Sequence, residues 1–286
     1  MAPPGEDPAA IKDRERAIWS AASAGWKTYD ETLVAFSRPV SEALIRRARI
    51  ARGMRVLDLA SGTGEPSLSI AEQVAPGGSV LGIDIAEPML AVAREKATAR
   101  GLRNVEFRAG DAEALALPDG SFDAATMRWG IMFLPNPVGA LRFVHRVLRP
   151  GAAVALAAWG PPAANPFLRI PLDVLRRYTE VPTPAPGSPG LFAFGDPDRL
   201  PGALRSAGYQ DVESVELPMR MTNFRDGTEY WTFQRAIAGP IARLYEPLDP
   251  ATRRTIDAEI ATESERYRRG DRLEIPAMTW IAGGLR

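Results

Sequence analysis

The sequence has no cysteine, one histidine (His145) and three lysines (Lys12, Lys27, Lys96) in 286 residues. Without cysteine there is no disulfide, no thiolate metal ligand and no thiol nucleophile. One histidine removes most other familiar catalytic machinery, and no metal site is expected. His145 falls late in a helical stretch beside Arg146, where a structural or helix-end role suits it better than base catalysis. Long apolar runs are absent too: the longest, residues 151–159, is too short to cross a bilayer. The first residues, Met1-Ala2-Pro3-Pro4-Gly5-Glu6-Asp7, are acidic where a signal peptide is basic. A cytoplasmic protein without a membrane span is the expectation. No sign of charge dominates, since Lys+Arg and Asp+Glu number 35 each. With no basic stripe, the footprint that phosphate-backbone binding requires is missing, and nucleic acid is not an expected partner.

What is present suits a globular chain with a large core: 45% of residues are hydrophobic and 24% charged. From Met54 onward short apolar runs alternate with amphipathic stretches, the pattern of successive βα units around a parallel sheet. Strands are predicted at 55–59, 79–83, 105–109, 122–127 and 152–158. Pro88 opens a helix between the second and third, and Gly101 closes it. Asn136-Pro137 opens another, and Arg149-Pro150-Gly151 turns the chain into the fifth strand. Upstream, residues 8–49 read as helices, with Ile18, Trp19, Trp26, Tyr29, Leu33 and Phe36 at near-helical spacing. That stripe fits either core packing or a lid.

Downstream, residues 161–195 are proline-rich and predicted to be a surface loop, because Val181-Pro182-Thr183-Pro184-Ala185-Pro186-Gly187 fits neither a helix nor a central strand. A helix at 200–208, a strand at 212–221, a charged helical region at 226–269 and a last strand at 275–282 complete the chain.

The first strand ends in Asp58 and runs through Ala60 and Ser61-Gly62-Thr63-Gly64 into a helix. Such a loop lets a ligand approach the backbone closely and meet the positive end of a helix. The spacing Gly62-x-Gly64-x-x-Ser67 departs from the dinucleotide fingerprint, which needs glycine where Ser67 stands. Asp84 follows Gly64 by 20 residues, at the end of the second strand, where a carboxylate can accept hydrogen bonds from two ribose hydroxyls. The third strand is followed by Gly110-Asp111-Ala112. Three successive strands thus deliver a glycine turn or a carboxylate to one sheet edge.

These segments, with Leu148-Arg149-Pro150-Gly151, resemble the motifs of class I S-adenosylmethionine-dependent methyltransferases over residues 50–160. They are most similar to the group that includes the ubiquinone and menaquinone biosynthesis methyltransferases. The resemblance implies an α/β, Rossmann-like fold: a seven-stranded, mostly parallel sheet with an antiparallel last strand and helical lid insertions. It divides the chain into a helical lid (1–50), a cofactor-binding core (51–160), and a remainder (161–286) with a proline-rich loop near 181–195 and a helical insertion at 226–269.

By the same resemblance, Asp58, Ala60, Ser61, Gly62 and Gly64 hold the methionine end of S-adenosylmethionine and Asp84 the ribose. Ile85 and Met89 lie on the adenine faces, Gly110, Asp111 and Ala112 at its edge, and Arg128 joins the cofactor set. Ala60 stands where the family usually has glycine, which makes it the departure to watch.

Methyl transfer from a sulfonium needs alignment more than acid–base machinery, so the missing triad and metal are no objection. The run Met127-Arg128-Trp129-Gly130-Ile131-Met132-Phe133-Leu134-Pro135 lies beside the transferred methyl in this family, though an apolar run also suits a core. Trp129, Met132, Phe133 and Trp159, with Pro161, Pro162, Phe167, Phe192 and Phe194 nearby, suggest a pocket for a small, largely hydrophobic acceptor. Two alternatives stand beside methyl transfer. One is an S-adenosylmethionine-binding enzyme that does not methylate, such as a cyclase; the other is an NAD(P)-dependent oxidoreductase.

Overall fold

In the computed structural model, which describes residues 7–182 and 188–286, two helices come first, α1 (Pro8–Thr28) and α2 (Asp30–Arg47). The alternating region then folds as β1 (Arg55–Leu59), α3 (Ser67–Val74), β2 (Ser79–Asp84), α4 (Glu87–Ala99), β3 (Val105–Ala109), β4 (Phe122–Arg128), α5 (Pro137–Val147) and β5 (Leu148–Trp159). Beyond it lie α6 (Pro166–Leu175), α7 (Arg199–Ser206), β6 (Gln210–Phe224), α8 (Gly227–Ile237), α9 (Gly239–Tyr245), α10 (Pro250–Ser264), β7 (Arg268–Arg269) and β8 (Arg272–Leu285). All seven expected strands are present, each within a few residues of its predicted limits. The two-residue β7, which pairs only with β8, makes an eighth.

The strands run β3-β2-β1-β4-β5-β8-β6 across the sheet. β8 is antiparallel to both β5 and β6, while the pairs among β1 to β5 are parallel. From β1 the chain steps outward to β2 and β3, then returns past β1 to β4, so the strand order reverses between β1 and β4. The carboxyl ends of the strands at such a point flank a crevice suited to ligands. Val56, Leu57, Ala124, Ala125, Val154 and Ala155 are all buried, as both faces of a helix-covered parallel sheet require.

One expectation fails in residues 161–195. Part of that stretch is not a loop but α6, almost wholly buried, with Pro166 in its first turn and Pro171 inside it. Pro166 costs little there, because the N–H it lacks has no partner in a helix's first turn. Pro171 would leave the Phe167 carbonyl without its helical donor. That carbonyl instead accepts from the Tyr230 hydroxyl at 2.6 Å and from Gln234 Nε2 at 2.5 Å, so α8 replaces the missing bond. Residues 183–187 of the expected proline-rich loop lie outside the described residues. The charged region 226–269 resolves into α8, α9 and α10. Among the described residues no helix is long and apolar enough to cross a membrane.

The two leading helices are joined to the core by all three lysines. Lys12 pairs with Asp111 at 2.7 Å and Glu113 at 2.6 Å, Lys27 with Glu95 at 2.5 Å, and Lys96 with Asp30 at 2.5 Å. Backbone contact is tighter still at Gly25, where an added Cβ would stand 1.9 Å from the Ala236 carbonyl oxygen of α8. Beside it, Trp26 Nε1 donates to the Ile237 carbonyl at 2.9 Å. Gly25→Ala is therefore expected to lower unfolding free energy by about 1–3 kcal/mol through overpacking, despite alanine's better helix propensity. Urea unfolding measures it, and an unchanged midpoint would mean that α1 can lift from α8 without loss.

Candidate active site

The loop after β1 owes its shape to its own sequence and to Asp84. Ala60, Gly62 and Gly64 have φ of +53°, +51° and +105°, a region that glycine enters freely and alanine only at a cost of roughly 1–2 kcal/mol. Ala60 pays that cost and still fits because the residue opposite is Gly130, whose added Cβ would lie 2.3 Å from the Ala60 methyl. Ser61 N–H donates to the Ile83 carbonyl at 3.0 Å. Gly62 N–H donates to Asp84 Oδ2, and Ala86 N–H to Asp84 Oδ1, both at 2.9 Å. Burial pushes the Asp84 carboxyl above its ordinary range, against the pull of these backbone donors.

Asp58 lies one layer beneath. It is fully buried and accepts from Ser67 Oγ at 2.5 Å and from Thr126 Oγ1 at 2.7 Å. The residue that breaks the dinucleotide fingerprint thus serves to anchor the strand below the loop. Gly64 is also turned away from the ligand side: an added Cβ would meet Leu68 at 2.8 Å and Ala93 at 3.2 Å. Asp58 and Gly64 support the loop but do not line the cleft above it.

The other expected cofactor residues do converge on that cleft. Ala60, Ser61, Gly62, Asp84, Ile85, Met89, Gly110, Asp111, Ala112 and Arg128 line it, together with the four expected acceptor residues Trp129, Met132, Phe133 and Trp159. The lining runs without a break from the loop after β1 to the aromatic side chains beyond Trp129.

Its two halves differ in chemistry. Around the loop stand Asp84, Asp111, Glu65 and Arg128. The Arg128 guanidinium donates to Ser41 Oγ at 3.1 Å and lies over the Trp129 ring; burial lowers its pKa, and Glu65 and Asp58 oppose the fall. Beyond Trp129 the wall is aromatic. Trp129 stacks on Trp159 at 4.4 Å with an interplanar angle of 11°, and Phe36 stacks on both. Trp129 has φ of +56°, and its Nε1 donates to Thr279 Oγ1 at 3.0 Å.

Of the N-terminal stripe, Trp19, Trp26, Leu33 and Phe36 line the cleft, while Tyr29 packs on Phe233 and Ile18 against Gly239. The stripe thus lies partly against the cleft and partly in the core. Phe167 lines the cleft, but Phe192, Phe194, Pro161 and Pro162 do not, and Leu191 reaches it instead. Sequence reasoning missed Lys12, Glu15 and Glu65, and also Ile237, Ala238 and Pro240 from the insertion. The signal for the first two was available, since 12, 15, 19 and 26 share one helical face. His145 is outside the cleft, edge-on to Tyr209 at 5.1 Å, and burial lowers its pKa.

The cleft suits an adenosyl-amino acid. Ser61 lines it, and its Oγ is buried without a hydrogen-bond partner among the described residues. An added Cβ at Gly62 would meet nothing, so the loop can receive a ligand at its backbone. A sheet in this order with one reversed strand, and such a cleft over its switch point, define the class I methyltransferase fold.

Comparison with known proteins gives the family. The family described as methyltransferase domain matches residues 50–164. Nocamycin O-methyltransferase of Saccharothrix syringae is 32% identical over 275 residues, covering 90% of this chain and 95% of that protein. Demethylmenaquinone methyltransferase of Thermus thermophilus is 47% identical over 181 residues, 63% of this chain and 78% of that protein. Among solved structures, the [4+2]-cyclase SpnF superposes with a TM-score of 0.56 at 20% identity, over 93% of this chain and 96% of that one, which speaks to fold alone. The chain belongs to the methyltransferase family, and it transfers methyl groups from S-adenosylmethionine.

Burial raises the Asp58 carboxyl from 3.8 to about 6, with Ser67, Thr126 and Arg128 pulling it down. The folded state therefore holds this proton more tightly than the unfolded chain does. Its contribution to stability is complete below about pH 4 and is lost as pH rises through about 6. A gap of that size corresponds to roughly 3 kcal/mol. The unfolding free energy of the wild type minus that of Asp58→Asn should accordingly fall by roughly 3 kcal/mol between about pH 4 and pH 7. Denaturant titrations across that range check it, and a flat difference would show Asp58 to ionise as freely as in the unfolded chain.

Proposed function

We propose that the protein methylates a hydroxyl group on a small, largely hydrophobic acceptor held in the aromatic half of the cleft, with S-adenosylmethionine in the polar half. The observation that carries this reading is the division of one continuous cleft into these two halves, which meet at Arg128 and Trp129. Bound there, the cofactor supplies a methyl carbon activated by its sulfonium. Asp84 receives the ribose hydroxyls, Ile85 and Met89 flank the adenine, and Gly110, Asp111 and Ala112 meet its edge. Ser61, Gly62, Ala60 and Arg128 take the methionine end, with Asp58 and Gly64 bracing the loop from below. Trp129, Met132, Phe133 and Trp159 hold the acceptor flat and exclude water, so the chain contributes mainly proximity and alignment.

Oxygen as the target is supported by the relative that spans nearly the whole chain, a nocamycin O-methyltransferase. The similarity extends through α6, α8 and α9, which supply Phe167, Leu168, Ile237 and Pro240 to the wall. Residues 1–50 act as the lid, 51–160 as the cofactor core and 161–286 as the completing part of sheet and wall, in an enzyme placed in the cytoplasm.

Two measurements test this. Asp84→Ala is expected to weaken S-adenosylmethionine binding by roughly 1.5–3 kcal/mol, the worth of a hydrogen bond to a charged group, and unchanged affinity by calorimetry would remove Asp84 from the site. Methyl-labelled cofactor should transfer its label to at least one of 1-naphthol, 1,4-naphthohydroquinone and 2-acetyl-1,3-cyclohexanedione. Labelling only of RNA or of histone-like peptides would overturn the acceptor assignment.

A further inference from the structure

Six ionisable side chains reach the wall of the cleft: Lys12, Glu15, Glu65, Asp84, Asp111 and Arg128. Five are committed to holding the structure around the cofactor half. Lys12 and Asp111 bond to each other at 2.7 Å. Asp84 accepts from two backbone N–H groups. Glu65 accepts from Ser69 Oγ at 2.6 Å and pairs with Arg100 at 2.9 Å, and Arg128 donates to Ser41.

Glu15 is placed differently. It stands on α1 one turn before Trp19, and its carboxylate accepts from Trp19 Nε1 at 3.2 Å. The Trp19 ring packs edge-on against Phe133 at 5.2 Å, which sets Glu15 beside the aromatic half. The rest of that half, including 129–135, Trp159 and 237–240, offers no ionisable side chain. The Trp19 N–H and Arg14, whose Nε lies 3.7 Å from Oε1, still leave lone-pair sites of the carboxylate for a donor arriving in the cleft.

We infer that Glu15 binds the hydroxyl group of the acceptor and takes its proton during transfer. As the acceptor oxygen bonds to the methyl carbon, the carbon–sulfur bonding pair leaves with sulfur, and the hydroxyl proton passes to the Glu15 carboxylate and from there to solvent. A cation and a neutral alcohol thus become two neutral products and one proton. This assignment rests on the acceptor half proposed above.

The electrostatics favour the same role. Burial raises the Glu15 carboxyl above its ordinary range, while Arg14 on its own helix, the Trp19 bond and Arg243 of α9 pull it back. Lys12, one turn earlier, is occupied by Asp111 and Glu113. A carboxylate held above its ordinary range is a stronger base than one in water.

Glu15→Gln tests the inference, because it keeps both the volume and an oxygen for Trp19 Nε1. Calorimetry with S-adenosylhomocysteine should give the wild-type affinity within about twofold, since the residue serves the acceptor. With 1-naphthol or 1,4-naphthohydroquinone, whose hydroxyls keep their protons at neutral pH, kcat should fall about 100-fold or more, the usual worth of a general base. The acid limb of the kcat/KM profile should vanish with it. Glu15→Asp should recover part of the rate, and Trp19→Phe, which removes a bond favouring the ionised form, should move the acid limb to higher pH. A Gln variant within about threefold of wild-type kcat overturns the inference, as does tenfold weaker S-adenosylhomocysteine binding, which would make Glu15 a cofactor ligand. A wild type that methylates none of the three compounds overturns the acceptor reading itself, a failure distinct from that of Glu15 alone.

Discussion

The buried carboxylate of Asp58, hydrogen-bonded to the hydroxyls of Ser67 and Thr126, is the join on which the site depends. Asp58 lies on β1, Thr126 opposite it on β4, and Ser67 at the start of α3. One side chain therefore ties together the two strands at which the order reverses and the helix that leaves the loop. Burying a carboxylate without partners is costly, and here two hydroxyl donors with the Arg128 charge nearby offset that cost. What results is a rigid floor. Above it the loop can afford left-handed backbone at Ala60, because the strained residue is held by its surroundings on both sides.

Much of this architecture was legible in the sequence because its signals are local. Strands buried on both faces read as short apolar runs, and the turns between them require Pro88, Gly101 or Asn136-Pro137 at particular positions. The departures come where partners are distant in sequence. Nothing near Pro171 shows that Tyr230 and Gln234 will satisfy the carbonyl it frees, so a buried helix looked like a proline-rich loop. At the site, the residues carried over from the family motifs converge except for Asp58 and Gly64, whose side chains or backbone turn inward. A motif specifies which residues recur in a loop, but not which of them support it from behind.

Glu15 and Lys12 went unnoticed for a related reason. Their helix carries Trp19 and Trp26 on the same side, Leu33 and Phe36 of α2 continue the stripe, and an aromatic stripe draws the eye to packing. The stripe does pack, but against the open cleft as well as the core. A face that must both seal a cavity and contact its contents will mix aromatic and charged residues, and that mixture distinguishes a lid from a core helix.

The same face explains how α1 is held. The four ion pairs of the three lysines are at least partly exposed, and such pairs contribute about 0–1 kcal/mol each. Trp19 and Trp26 pack on Ala22, Ala86 and Met89, and burying one large apolar side chain is worth roughly 1.5–3 kcal/mol. Contact of α1 with the core therefore rests on the tryptophans, while Lys12 and Lys27 set its register and Lys96 that of α2. Met89 belongs to the expected adenine surface, and Asp111, at the expected adenine edge, is also a partner of Lys12. A ligand that orders Met89 and Asp111 would order the landing site of α1 too. The expected adenine surface and the seat of α1 are thus built from the same residues.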